Sequence, residues 1–184
     1  MKKMVFALCF GNRGFMPGEL ILGAREEMVQ AVKQAGYDCI LMDENATRFG
    51  AVETRDEGLL YAKWLKEHEG QYDGVIFCMP IFVDENGAAN ALLDAGVPIL
   101  MQAYPDEIGK MDFKYRRDAY CGKFSVTDVF CQLQNPLYRD ETPCGAPFKR
   151  CLCAKPAGFC RHLPGGERHE TLQPGLHRCS YHRV

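Results

Sequence analysis

The sequence contains no run of 18 or more apolar residues, which excludes a membrane-spanning helix. Its first apolar run, Met4 to Phe10, is cut off by Gly11-Asn12-Arg13 and is too short for a secretory leader, so a cytoplasmic protein is expected. There is no Gly-x-Gly-x-x-Gly and no phosphate loop ending in Gly-Lys-Ser/Thr, so no nucleotide cofactor is expected. Neither sign of charge dominates. With 22 Lys+Arg against 24 Asp+Glu the net charge is −2, which gives no reason to expect nucleic acid or a membrane surface as partner. With 47% hydrophobic residues, wholesale disorder is excluded as well.

The composition is uneven along the chain. Residues 1–132 carry a net −6 and residues 133–184 a net +4. All eight Met and every Ile precede residue 133, whereas four of the five His and six of the ten Pro follow it. The two stretches therefore read as a domain over 1–132 and a tail over 133–184.

In the first stretch, strand and helix signals alternate. Met4 to Phe10 is a continuous apolar run that reads as a buried parallel strand. Leu20, Ala24, Met28, Ala31 and Val32 recur at helical spacing, with Glu26, Glu27, Gln30 and Lys33 on the other face and Gly36 as the stop. Asp38 to Met42 is a second strand. Thr54 and Glu57 form a capping box for a helix lined by Leu60, Ala62, Trp64 and Leu65. Gly74 to Met79 is a third strand, stopped by Pro80. Asn86 is placed to cap a helix of Ala88, Ala89, Ala91, Leu92 and Leu93, and Val97 to Met101 is a fourth strand. This β-α-β-α-β-α-β order predicts a three-layer αβα fold around a mostly parallel flavodoxin- or Rossmann-like sheet of four or more strands, followed by an irregular tail.

Such sheets bind ligands beyond the carboxyl ends of their strands, where the strand order reverses. In a flavodoxin-like order, the loops starting at Gly11 and at Pro80 face each other there. Arg13 is a fork donor suited to a sugar hydroxyl or a carboxylate, or else a surface Arg in a turn. Asp84-Glu85-Asn86 also reads in two ways. It could hold a polyol or a hard metal ion, or it could be a helix N-cap with acids favourable to the macrodipole, which is the commoner use of such a triplet. Cys9, Cys39 and Cys78 fall inside strands and are expected to be buried free thiols. Arg116-Arg117-Asp118 is expected to be a solvated helix face.

Five longer strings, FGNRGFMP (10–17), MDENATRFGAVETRDEG (42–58), DENGAANALLDAGVPIL (84–100), QAYPDE (102–107) and RRDAYCGKFSVTDVFCQ (116–132), resemble the N-terminal part of the L-fucose isomerase / L-arabinose isomerase-like family. The resemblance implies an aldose–ketose isomerase of carbohydrate metabolism that uses a divalent metal, typically Mn²⁺. It places the metal's Glu, Asp and His ligands in later regions, so no metal ligand and no catalytic residue carries over to this chain. It implies a small-molecule sugar as partner and a homo-oligomer in which this domain offers loops to a neighbouring active site. By loop position, Asn12, Arg13, Asp84, Glu85 and Asn86 are the substrate-side candidates. The fragment is expected to be inactive alone. Two alternatives stay open: a stand-alone sugar-binding or regulatory domain, and a zinc-binding interaction protein built on the tail.

The tail breaks the resemblance at Gln132. Residues 133–145 can be encoded so that a reading one base later spells CKIPFTAMKPHVV, which is similar to the family's continuation. A frameshift near codon 132 is therefore expected. On that expectation, Cys151, Cys153, Cys160, His162, His169, His177, Cys179 and His182 are products of the shifted frame, and their irregular spacing lacks the regularity of a zinc module.

Overall fold

The structure, a computed structural model, describes residues 3–133. The tail, on which the expected frameshift and the zinc alternative rest, thus lies, Leu133 apart, outside the described residues. Four strands, β1 (Val5–Phe10), β2 (Asp38–Leu41), β3 (Gly74–Met79) and β4 (Ile99–Ala103), pair in parallel in the order β2-β1-β3-β4. The helices are α1 (Leu20–Gln34), α2 (Arg55–Glu67), α3 (Glu85–Leu92) and α4 (Ala119–Gln132). The flavodoxin-like strand order predicted from the alternation is present, and its reversal lies between β1 and β3.

Burial explains why the strands read as they do. Every residue of β3 is buried because β1 and β4 flank it and helices cover both faces. All four residues of β2 are only half-buried, as suits an edge strand. Alternate residues of β1 serve opposite layers. Ala7 and Cys9 pack with Tyr61 and Leu65 of α2, Ala88, Ala91 and Leu92 of α3, and Val126 and Phe130 of α4. Phe6, Leu8 and Phe10 pack with Ile21, Ala24, Met28 and Val32 of α1. Cys9 and Cys78 are fully buried and Cys39 half-buried. Burial pushes the Cys9 and Cys78 thiols well above the ordinary cysteine range, so both stay neutral and act as small hydrophobes.

Several sequence expectations need correction. The N-cap of α3 is Asp84, not Asn86. Asp84 has an extended backbone and its Oδ1 accepts from the Gly87 N–H at 2.8 Å, whereas Asn86 already lies in the first turn. In α2 the buried stripe is Gly58, Tyr61 and Leu65, which leaves Leu60 exposed. In α1, Ile21 is fully buried in the core, and Leu20 is partly buried against it. β4 starts two residues later than expected, because Pro98 has no N–H to give the ladder, although its carbonyl accepts from Val75 N at 3.0 Å. Arg116 and Arg117 do not lie on a helix but precede α4, and the Arg117 side chain is only 13% exposed.

The capping box is present in both halves. Thr54 N donates to Glu57 Oε2 at 2.9 Å, and Glu57 N donates to Thr54 Oγ1 at 3.3 Å. α2 and α3 approach closely because Gly58 has no side chain. A Cβ there would lie 2.4 Å from the Gly87 carbonyl oxygen.

Candidate functional site

The loops after β1 and β3 meet at the strand-order reversal. Gly11 permits the approach, since a Cβ at that position would lie 2.5 Å from Val83 Cγ1 and 2.9 Å from the Phe77 ring. Beyond it the backbone is stitched across three connections. Gly11 N donates to Cys78 O at 2.9 Å, Asn12 N to Val52 O at 2.9 Å, and Asp84 N to Asn12 O at 3.0 Å. The loop after β2 joins through Val52, whose N donates to Phe10 O at 2.7 Å.

Asn12 sits at the centre of this stitching and is fully buried. Its Nδ2 donates to Glu53 Oε2 at 3.0 Å. Its Oδ1 has no donor among the described residues. A buried acceptor left open costs on the order of 1–3 kcal/mol unless a donor reaches it. Glu53, 12% exposed, also takes Arg48 Nη1 at 3.3 Å. A Cβ on Gly14 would lie 2.7 Å from Glu53 Oε1, so the loop after β1 presses on this carboxylate. Beside Arg48, Phe49 holds a left-handed backbone (φ 61°), an uncommon state for an aromatic residue.

Arg13 crosses to the other loop. Its Nη1 donates to Glu85 Oε2 at 3.1 Å and to the Val83 carbonyl at 3.5 Å. Its guanidinium lies 4.9 Å from the Phe82 ring centroid and 5.7 Å from that of Phe15. The Ser125 hydroxyl, on α4, donates to Glu85 Oε1. Partial burial opposes ionisation of Glu85, but the Ser125 hydrogen bond and Arg13 outweigh it and hold the carboxyl below the usual glutamate range. Glu85 is therefore ionised and committed to partners. Asp84 is committed to its cap, and Asn86 is exposed on the first turn of α3.

A third wall comes from the residues ahead of α4. Arg117 Nη1 donates to Pro80 O at 3.0 Å and its Nη2 to Glu107 Oε1 at 3.3 Å. Phe82 N donates to Arg117 O at 2.6 Å, and Arg117 N donates to Asp106 Oδ1 at 2.6 Å. A Cβ on Gly122 would lie 3.1 Å from Val83 N, so α4 settles closely against this loop and a side chain there would make the loop give by a few tenths of an ångström.

The structure thus brings Asn12, Arg13, Asp84 and Glu85 into one connected group, with Asn86 at its rim. Sequence reasoning missed Glu53, Phe82, Ser125 and Arg117. Glu53 precedes the capping Thr54 and carried no signal of its own. Ser125 belongs to α4, where the spacing of Ala119, Gly122, Val126 and Phe130 was the available clue. Among the described residues no three His, Cys, Asp or Glu side chains converge as a metal cage. With Glu85 held by Arg13 and Ser125, and Asp84 by its cap, these residues do not fit a divalent ion.

A four-stranded parallel sheet covered on both faces, with polar loops converging at the strand reversal, defines an α/β domain of the doubly wound class. Residues 7–153 match the family described as "Fucose/sulfoquinovose isomerase, N-terminal domain". The match covers well over half of the chain, and the chain belongs to that family. The matched span includes the first part of the basic tail. The chain matches none of the curated proteins. Among solved structures, a de novo designed Rossmann 2x3 fold protein determined by solution NMR is similar at 14% identity, over 94% of this chain and 100% of that one, with a TM-score of 0.39.

Proposed function

We propose that this domain serves an aldose–ketose isomerase as its sugar-facing N-terminal module and that the chain does not turn over sugar by itself. The observation that carries this reading is the converging group at the β1/β3 reversal, in a chain of this family. Asn12, Arg13, Asp84, Glu85 and Asn86 form the sugar-facing edge. Arg13 supplies donors to hydroxyl oxygens. The open Oδ1 of Asn12 is an acceptor for a hydroxyl donor. Asp84 and Glu85 fix the loop that positions Arg13. The proton transfer between adjacent carbons, and the Mn²⁺ that would polarise their oxygens, belong to regions whose ligands the described residues do not supply. Exposed Ile108, Met111, Phe113 and Phe124 support packing into a homo-oligomer with further isomerase domains.

The test is an isomerisation assay of the purified chain with Mn²⁺ and L-fucose, L-arabinose or sulfoquinovose, run beside a thermal melt with the same sugars. Sugar-dependent stabilisation without turnover is the expected result. Turnover that scales with protein and disappears with chelator would contradict it. Stabilisation by sugar in a chain that never associates with isomerase domains would favour the stand-alone sugar-binding reading. The compositional break at residue 132 supports our further reading that the tail is translated one base out of frame, and the family match running to residue 153 in the present frame counts against it for the first part of that tail. Sequencing the gene from codon 125 onward tests this, and an early stop in the shifted frame would end it.

A further inference from the structure

Arg13 is arranged unusually for an anion-binding arginine. Every hydrogen bond it makes to a described residue leaves from Nη1, so the edge carrying Nε and Nη2 is not engaged by those residues. The Phe82 and Phe15 rings flank that guanidinium, and Phe15 is 61% exposed. Its charge is already answered by Glu85, which Ser125 keeps in place. Asp84 adds a second carboxylate one residue away, and the Arg48–Glu53 pair behind Asn12 adds no net charge. Arg117, at the third wall, is likewise paired, with Glu107. The group therefore offers directed donors and apolar ring faces in a field that is neutral to negative.

We infer that this edge is a subsite for an uncharged sugar and discriminates against sugars bearing a sulfonate, carboxylate or phosphate. The inference rests on the sugar-facing reading above and narrows its substrate class. The donors on one guanidinium edge match two neighbouring hydroxyl oxygens, and the rings match the C–H faces of a pyranose. An anion would gain from Arg13 but would meet the Glu85 carboxylate already paired with that guanidinium at 3.1 Å, and like charges at such distances cost affinity. Glu85 is the specificity-determining residue: it orients Arg13 and cancels its charge.

The experiment titrates the full chain with four sugars, L-fucose, L-arabinose, quinovose and sulfoquinovose, reading amide chemical shifts in solution. Quinovose and sulfoquinovose form a matched pair that differs by the sulfonate. The neutral sugars are expected to bind at least about tenfold more tightly than sulfoquinovose at low salt, with the gap narrowing as salt rises. Glu85→Gln is expected to narrow the ratio of the two affinities within the variant, bringing sulfoquinovose to within about threefold of quinovose. Because the wild-type ratio alone decides the matter, the conclusion does not depend on the variant folding. Sulfoquinovose binding as tightly as quinovose, or more tightly, overturns this inference and leaves the sugar-facing reading standing. No binding by any of the four overturns both.

Discussion

The two ends of the sheet are built differently, and the difference separates a hollow between helix ends from a group of directed polar contacts. At the amino-terminal ends of β3 and β4 a cavity of about 510 Å³ opens between the last turns of α2 and α3, lined by Lys63, Lys66, Glu69, Tyr72, Asp94 and Val97 among others. Its side-chain polar ties among the described residues are loose: the Tyr72 hydroxyl donates to Leu65 O at 3.3 Å, and Lys63 pairs with Glu67 at 3.8 Å. Its glycines, Gly70 and Gly96, have open space where a Cβ would stand. At the carboxyl-terminal ends four connections are tied by backbone bonds, an ion pair and a fully buried amide. Volume comes from helix ends that stop short of one another. Directed polar groups come from loops forced into contact, and a pre-organised group of that kind is better suited to selective binding than a hollow rimmed by exposed lysines.

The largest expected contrast comes from packing. Gly11→Val places two methyl groups where a single Cβ already collides with Val83 and Phe77, and should cost roughly 3 kcal/mol. Gly96→Ala, at the other end, meets no atom and suffers only from its left-handed backbone (φ 67°), about 1 kcal/mol. Urea unfolding of both variants measures the difference, and equal losses would erase the contrast.

Polar ties should differ next. Asp84→Ala removes the α3 cap and is expected to cost about 1 kcal/mol. Lys66→Ala at the cavity should fall within about 0.5 kcal/mol of the parent, because no ordered partner is lost. A loss at Lys66 as large as that at Asp84 would show that the cavity end is ordered by polar contacts after all.

The smallest effect is one of pH. Because the folded Glu85 carboxyl titrates below its ordinary value of about 4.3, its ionised form is favoured in the folded state. Its contribution is complete above that value and fades as pH falls through the lower folded one. Glu85→Gln should therefore flatten the decline in melting temperature below about pH 4.5, where the parent declines faster. Parallel curves for the two proteins would remove Glu85 from the account.

Much of the fold was legible in the sequence because it rests on continuous patterns. Gly74 to Met79 is apolar throughout since both its faces are covered, and the Thr54/Glu57 spacing is itself the capping geometry. α4 was not legible. Cys121, Phe124 and Cys131 are apolar positions on its exposed side, and they blur the stripe formed by Val126 and Phe130. The meeting of the Gly11 and Pro80 loops followed from strand order, so Arg13 and Glu85 could be singled out early. The partners that define their chemistry could not, because Ser125, Phe82 and Glu53 reach the group only through tertiary packing. The Asp84 cap shows the limit of local reading: three adjacent residues could cap, and backbone geometry chose the first.

The most direct test of the account maps L-fucose onto the ¹⁵N-labelled chain by amide chemical-shift changes. The account predicts that the shifts concentrate at residues 11–15, 52–54 and 82–87, and that they diminish in Arg13→Ala. Shifts concentrated instead at residues 62–70 and 94–97 would place the ligand in the cavity at the other end and contradict the account.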